Sequence, residues 1–103
     1  MDWQIFKDKE LTEPVSDPID LGKLKAGEKK QFVYYIFNSS VNPFDEVRFS
    51  VDNKEVKVIS PIEEIDVAEK TSTKIILEWE PSIDVKRGLK TSLKIEGFEV
   101  FKG

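Results

Sequence analysis

Six consecutive apolar residues, Phe32-Val33-Tyr34-Tyr35-Ile36-Phe37, closed by Asn38, constrain this chain more than any other stretch. Aromatic and β-branched side chains suit a pleated, packed backbone, and the run is short for a buried helix. In a strand, Phe32, Tyr34 and Ile36 face one way and Val33, Tyr35 and Phe37 the other. Both faces are then apolar. Such a strand is central in its sheet, or its outer face is covered.

The same period of two recurs on either side. Trp3-Gln4-Ile5-Phe6 reads as a short opening strand, followed by a polar turn at Lys7-Asp8-Lys9-Glu10. Residues 12–18 hold two prolines and read as irregular or as a sheet edge. Ile19-Asp20-Leu21-Gly22 is a short strand ending in a glycine, and Ala26-Gly27-Glu28 is a turn. Val47, Phe49 and Val51 alternate with Glu46, Arg48 and Ser50, the pattern of a half-buried strand. After a turn at Asp52-Asn53-Lys54, Val56 and Val58 continue the alternation. Residues 61–71 read as a polar crossover anchored by Ile62, Ile65 and Val67, with room for one helical turn. Ile75, Leu77 and Trp79 share a face until Pro81 stops the strand. A loop then runs through Lys86 to Arg87-Gly88. Leu89, Thr91, Leu93 and Ile95 share the last face. About seven to eight short strands with turn signals every 8–12 residues predict an all-β antiparallel sandwich or barrel.

At 103 residues the chain makes one domain. A domain of this size buries roughly 60–65% of its unfolded surface, enough for one modest core. There is no cysteine and no histidine. Disulfides, thiolate metal sites and cysteine nucleophiles are excluded, and the commonest general base and metal ligand are missing. The net charge of −4 argues against a nucleic-acid partner. The start, MDWQIFKDKEL, lacks the basic-then-apolar pattern of a signal peptide. The longest apolar run is far too short to span a bilayer. The expectation is a complete cytoplasmic protein with no membrane partner and no cofactor.

The order of these motifs resembles the immunoglobulin-like sandwiches of the major-sperm-protein and abnormal-spindle/hydin type. The residues that carry the resemblance are Asp20-Leu21-Gly22, the Ala26-Gly27 turn, Asn38, Pro43-Phe44, Trp79 with Pro81, Gly88, and Ile95 with Gly97. They span about residues 18–97, leaving 1–17 as an N-terminal strand or arm that packs on the domain 18–103. Small structural proteins of tailed phages carry a similar pattern, often with a short opening strand such as WQIFKD. One departure is the turn before the Trp79 strand. The usual Pro-Gly-Glu is replaced by Ala68-Glu69-Lys70. The resemblance implies a non-catalytic virion component that binds a repeating capsid or tail surface. The alternative it implies is a cytoplasmic adaptor that reads peptides in a basic groove.

The residues themselves offer few sites. Asn38-Ser39-Ser40 matches the glycosylation acceptor pattern, but its position at a strand end predicts a structural corner. Glu63, Glu64, Asp66 and Glu69 lack the spacing of a calcium loop and read as a solvated crossover. Residues 45–69 carry eight acids against three bases, so an acidic face is expected. Lys86, Arg87, Lys90 and Lys94, and Lys23, Lys25, Lys29 and Lys30, read as edge protection. No serine has a histidine to activate it, so no enzyme is expected. The apolar side chains that point away from the Phe32, Tyr34, Ile36 face have two readings. Either the N-terminal segment or the Phe98–Phe101 tail covers them, or they form a protein interface, with Trp3, Tyr35 and Phe37 its candidate residues. Strand edges also leave room for self-association.

Overall fold

The computed structural model describes residues 3–101, folded into ten strands and no helix. Residues 1, 2, 102 and 103, the ends of the expected arm 1–17 and domain 18–103, lie outside the described residues. One layer is a five-stranded sheet in the order β2 (Pro14–Val15), β1 (Trp3–Phe6), β4 (Lys30–Asn38), β8 (Ser72–Trp79), β6 (Val56–Ser60). The other layer comes in two pieces: β3 (Ile19–Leu24) with β9 (Val85–Thr91), and β10 (Leu93–Glu99) with β5 (Phe44–Val51) and β7 (Ile65–Val67). Only Ser92 separates β9 from β10, so the two pieces share one bent strand. Every pairing is antiparallel. The sheets keep open edges, so the architecture is a sandwich and not a closed barrel.

The expected strands are present, but there are ten where seven to eight were predicted. Pro14–Val15 pairs at the sheet edge, where a missing N–H costs no ladder bond. Ile65–Val67 forms an edge strand where a helical turn was allowed for. Here Ile65 pairs with Val47 and Val67 with Phe44. Gly88 lies inside β9 rather than ahead of it, so Lys86 and Arg87 belong to a strand and not to a loop. The β3–β9 ladder is irregular around Gly22 and Gly88, and both glycines take positive φ.

The core lies between the layers. β4 and β8 pair in register from Lys30↔Trp79 to Phe37↔Ser72, which aligns their inward residues. Tyr34, Ile36, Ile75, Leu77, Trp79 and Val56 from one layer meet Ile19 and Leu21 from the other. Phe49, Val51, Leu89, Leu93 and Ile95 close over them. Trp79 is fully buried, and its indole N–H has no partner.

Asn38 fixes the corner where β4 ends. It is 0% exposed. Its Nδ2 donates to the carbonyls of Asn42 at 3.0 Å and Ala68 at 3.2 Å, and its Oδ1 accepts from the Ser40 N–H at 3.0 Å. Its own backbone N–H donates to the Thr71 carbonyl. A side chain held from both ends has no amide free for a glycan. The turn at 68–71 is built without glycine because Lys70 itself takes φ 55°. The Lys70 ammonium then reaches the Ser39 carbonyl, and the Thr71 hydroxyl caps the Ala68 carbonyl. These contacts hold a backbone conformation that a β-carbon ordinarily disfavours.

Candidate interaction surfaces

Three outward faces and one open edge emerge from this frame. The first is the outer face of the five-stranded sheet. Antiparallel partners place their side chains on the same side. Phe6 opposite Tyr35, Gln4 opposite Phe37, and Ile76 opposite Val33 therefore share the face of Val33, Tyr35 and Phe37. Val33 is 42% exposed, and Phe6, Tyr35, Phe37 and Ile76 are half-buried.

Of the three residues named from the sequence, the structure brings two together. Tyr35 and Phe37 are neighbours on this face. Trp3 is not with them. It pairs with the buried Asn38, so it points inward, and its ring packs 4.9 Å from that of Phe44. The register of β1 on β4 decides this, and no local pattern announces it. The same register also places the two segments expected to cover this face. β1 lies beside β4 in the plane of the sheet and does not cross its face. The Phe98–Phe101 tail runs on from β10 in the other layer, with Phe98 66% and Phe101 73% exposed. Sequence reasoning missed Phe6, assigned to the cover, and Ile76. The signal for Ile76 was the adjacency Ile75-Ile76, which puts one isoleucine on each face.

The second layer divides by charge. On β10-β5-β7, the side chains of Glu46, Arg48, Glu64, Glu96 and Phe98 border one depression of about 360 Å³. Arg48 lies opposite Glu96, and its guanidinium binds the Glu64 carboxylate, which raises the Arg48 pKa. The Asp66 carboxylate accepts from the Glu46 N–H. Of the acids in residues 45–69, Glu46 and Glu64 meet here, and Glu96 from β10 joins them around one arginine. On β3-β9, Lys23, Lys25 and Lys86 line a depression with Leu24, Val85 and two acids, Glu28 and Asp84. Lys90 is opposite Asp20. The remaining lysines of the two runs are spent elsewhere: Lys29 pairs with Glu78 at 3.4 Å, Lys94 approaches Glu96 at 3.6 Å, and Lys30 lies over the Phe32 ring at 5.2 Å.

Exposed carboxylates act as loop fasteners. Asp8 is held below the usual carboxylate range, chiefly by the Thr12 hydroxyl and also by the Glu13 and Thr12 N–H groups. Asp52 is lowered by the Ser92 N–H and the Thr91 hydroxyl, and Glu55 by the Ser82 hydroxyl and N–H. Asp8 closes one loop, while Asp52 and Glu55 each fasten two distant segments. Among the described residues no group of three carboxylates comes together to hold a metal ion. No family model, curated protein or solved structure matches this chain.

Proposed function

We propose that this chain is a non-catalytic interaction protein, which docks a protein partner on the outer face of its five-stranded sheet. The observation that carries the reading is the row of Phe6, Val33, Tyr35, Phe37 and Ile76 on one face of the sheet, with Val33 exposed and the other four half-buried. Burying such a row against a partner is favourable at about 25 cal/mol per Å² of apolar surface. Aromatic side chains supply large contact area at low entropic cost. Gln4, Lys74 and Glu78 sit among or beside the apolar side chains and supply polar contacts. The reading contains no reaction.

The partner that the resemblance implies is the repeating capsid or tail surface of a tailed phage, with the chain as a small virion component. A sheet face with a row of apolar side chains suits a protein surface better than it suits a small ligand. The test has two parts. Mass spectrometry of purified particles from the source strain should find the chain at fixed stoichiometry. The purified protein should co-sediment with assembled capsids or tails, and Tyr35→Lys and Phe37→Lys should abolish this while leaving the fold intact. Absence from particles, or undiminished binding by both variants, sinks the reading.

A second reading, the peptide-binding adaptor, rests on one observation. Lys23, Lys25 and Lys86 gather around Leu24 and Val85 on the β3-β9 layer, where Glu28 and Asp84 also line the depression and accept from the Lys25 and Ala26 N–H groups. An acidic, partly apolar peptide would fit there, and its binding would weaken steeply with salt. A titration with such a peptide that shows no salt-sensitive binding removes this alternative.

A further inference from the structure

The bent strand β9–β10 is laddered on one side only along each half. β3 pairs with β9, and β5 pairs with β10. Hydrogen bonds show that the two partners lie on opposite sides. The Asp52 N–H donates to the Ser92 carbonyl, so Ser92 turns its backbone groups toward β5. Leu93 must then turn its own away, and its N–H is taken at 3.0 Å by Asp17, which leads into β3. Ile95 follows Leu93 by two residues, so its N–H and C=O also point away from β5. The chain that could have paired there has left. It crosses from β2 in the other layer and enters β3 only at Ile19, opposite Thr91. Among the described residues no strand lies beside β10 at Ile95, and a register shift between Glu96 and Phe98 bounds the regular edge beyond it.

We infer that this edge pairs with the same edge of a second copy, antiparallel, about a twofold axis at Ile95. The sequence of the edge selects the occupant. Lys94 and Glu96 flank Ile95, both point outward, and they already approach each other at 3.6 Å within the strand. With Ile95 opposite the partner's Ile95, Lys94 falls opposite the partner's Glu96, and the reverse pair forms by symmetry. Ile95 exchanges both its backbone bonds with its twin. The two Lys–Glu pairs then sit at the non-hydrogen-bonded positions, where facing side chains come closest. Inward, the two Ile95 side chains extend a half-buried apolar layer that already includes Trp3, Ile5, Val15 and Leu93. A parallel arrangement would place like charges together. Asp17 caps the Leu93 N–H and so ends the open edge on one side, which limits register slip.

The axis of such a pair is perpendicular to the sheet, so both five-stranded sheets lie on the same side of the dimer. Two copies of the Tyr35–Phe37 face then point the same way, and a repeating surface can engage both. The dimer does not depend on that function, because its residues lie in the other layer.

The test is sedimentation velocity of the full chain over a wide concentration range. The wild type is expected to show a reversible monomer–dimer equilibrium. Lys94→Glu and Glu96→Lys each place two like-charge pairs at the axis, and each should raise the dissociation constant about tenfold or more. Mixed in equal amounts, the two variants restore opposite charges at both positions, and a heterodimer at least as tight as the wild-type dimer should form. Circular dichroism checks that each variant is folded, as expected for side chains 69% and 61% exposed. A wild type that stays monomeric at millimolar concentration overturns the inference. So do single variants that dimerise like the wild type, or a mixture that fails to recover. Particle binding by a monomeric Lys94→Glu variant would leave the outer-face reading standing alone.

Discussion

Replacing Asn38 by alanine removes the three side-chain hydrogen bonds that hold the corner after β4, to Asn42, Ala68 and Ser40. Each contributes about 1 kcal/mol net, for a first sum of about 3 kcal/mol. Two corrections act in opposite directions. Ser40 is only 7% exposed, so its N–H is left buried without its acceptor, at a further cost. The Ala68 carbonyl keeps the Thr71 hydroxyl as a donor, which reduces the cost. The expected loss is therefore about 2–4 kcal/mol, or a fall in Tm of roughly 10–25 °C for a domain of this size. Urea denaturation followed by tryptophan fluorescence measures it directly. Val41→Ser, at the same corner but 70% exposed, is the control and should change stability by less than about 0.5 kcal/mol. Asn38→Asp sharpens the test. Its carboxylate would face two carbonyls in a buried site, which raises its pKa in the folded state. That variant should be most stable in acid and lose stability as pH rises through the raised folded value. An Asn38→Ala loss below about 1 kcal/mol would refute the idea that this amide holds the corner.

Gly97 packs where a β-carbon would come within 3.0 Å of Val47 Cγ2 and 3.3 Å of the Asp45 carbonyl, so Gly97→Ala should cost about 1–3 kcal/mol in a denaturant titration. Trp79→Ala should cost about 3–5 kcal/mol; Trp79→Phe should cost much less, because the ring is kept and an unpartnered indole N–H is removed. Asp52 accepts from Ser92 and Thr91 and so has a lowered pKa in the folded state. Its contribution is present above the unfolded carboxylate pKa and lost as pH falls through the folded value. Asp52→Asn should therefore be less stable than wild type at neutral pH, with the gap closing in acid, as melts across pH would show.

Much of the frame was legible from local pattern. Side chains alternate with a period of two along a strand, so Phe32, Tyr34 and Ile36 declared one face and Val33, Tyr35 and Phe37 the other without any knowledge of neighbours. The burial of Ile75, Leu77 and Trp79, the edge position of Pro14, and the corner at Asn38 follow from the same local chemistry. The absence of histidine and cysteine narrowed the chemistry before any fold was considered. What remained depended on pairings between segments far apart in the chain. Trp3 faces inward because β1 docks on β4 with Trp3 opposite Asn38, and a shift of one residue would have turned it outward. Lys70 adopts a positive φ because Asn38, from another strand, holds the turn in place. Glu46, Glu64 and Glu96 come from three strands or their flanks and meet only when β10, β5 and β7 align. The open edge at Ile95 exists because β3 covers β9 and stops short of β10. Sequence sets which side chains each strand shows, since that is a property of the backbone pleat. Only the tertiary structure decides which strands are neighbours, because that depends on how distant apolar faces pack into one core.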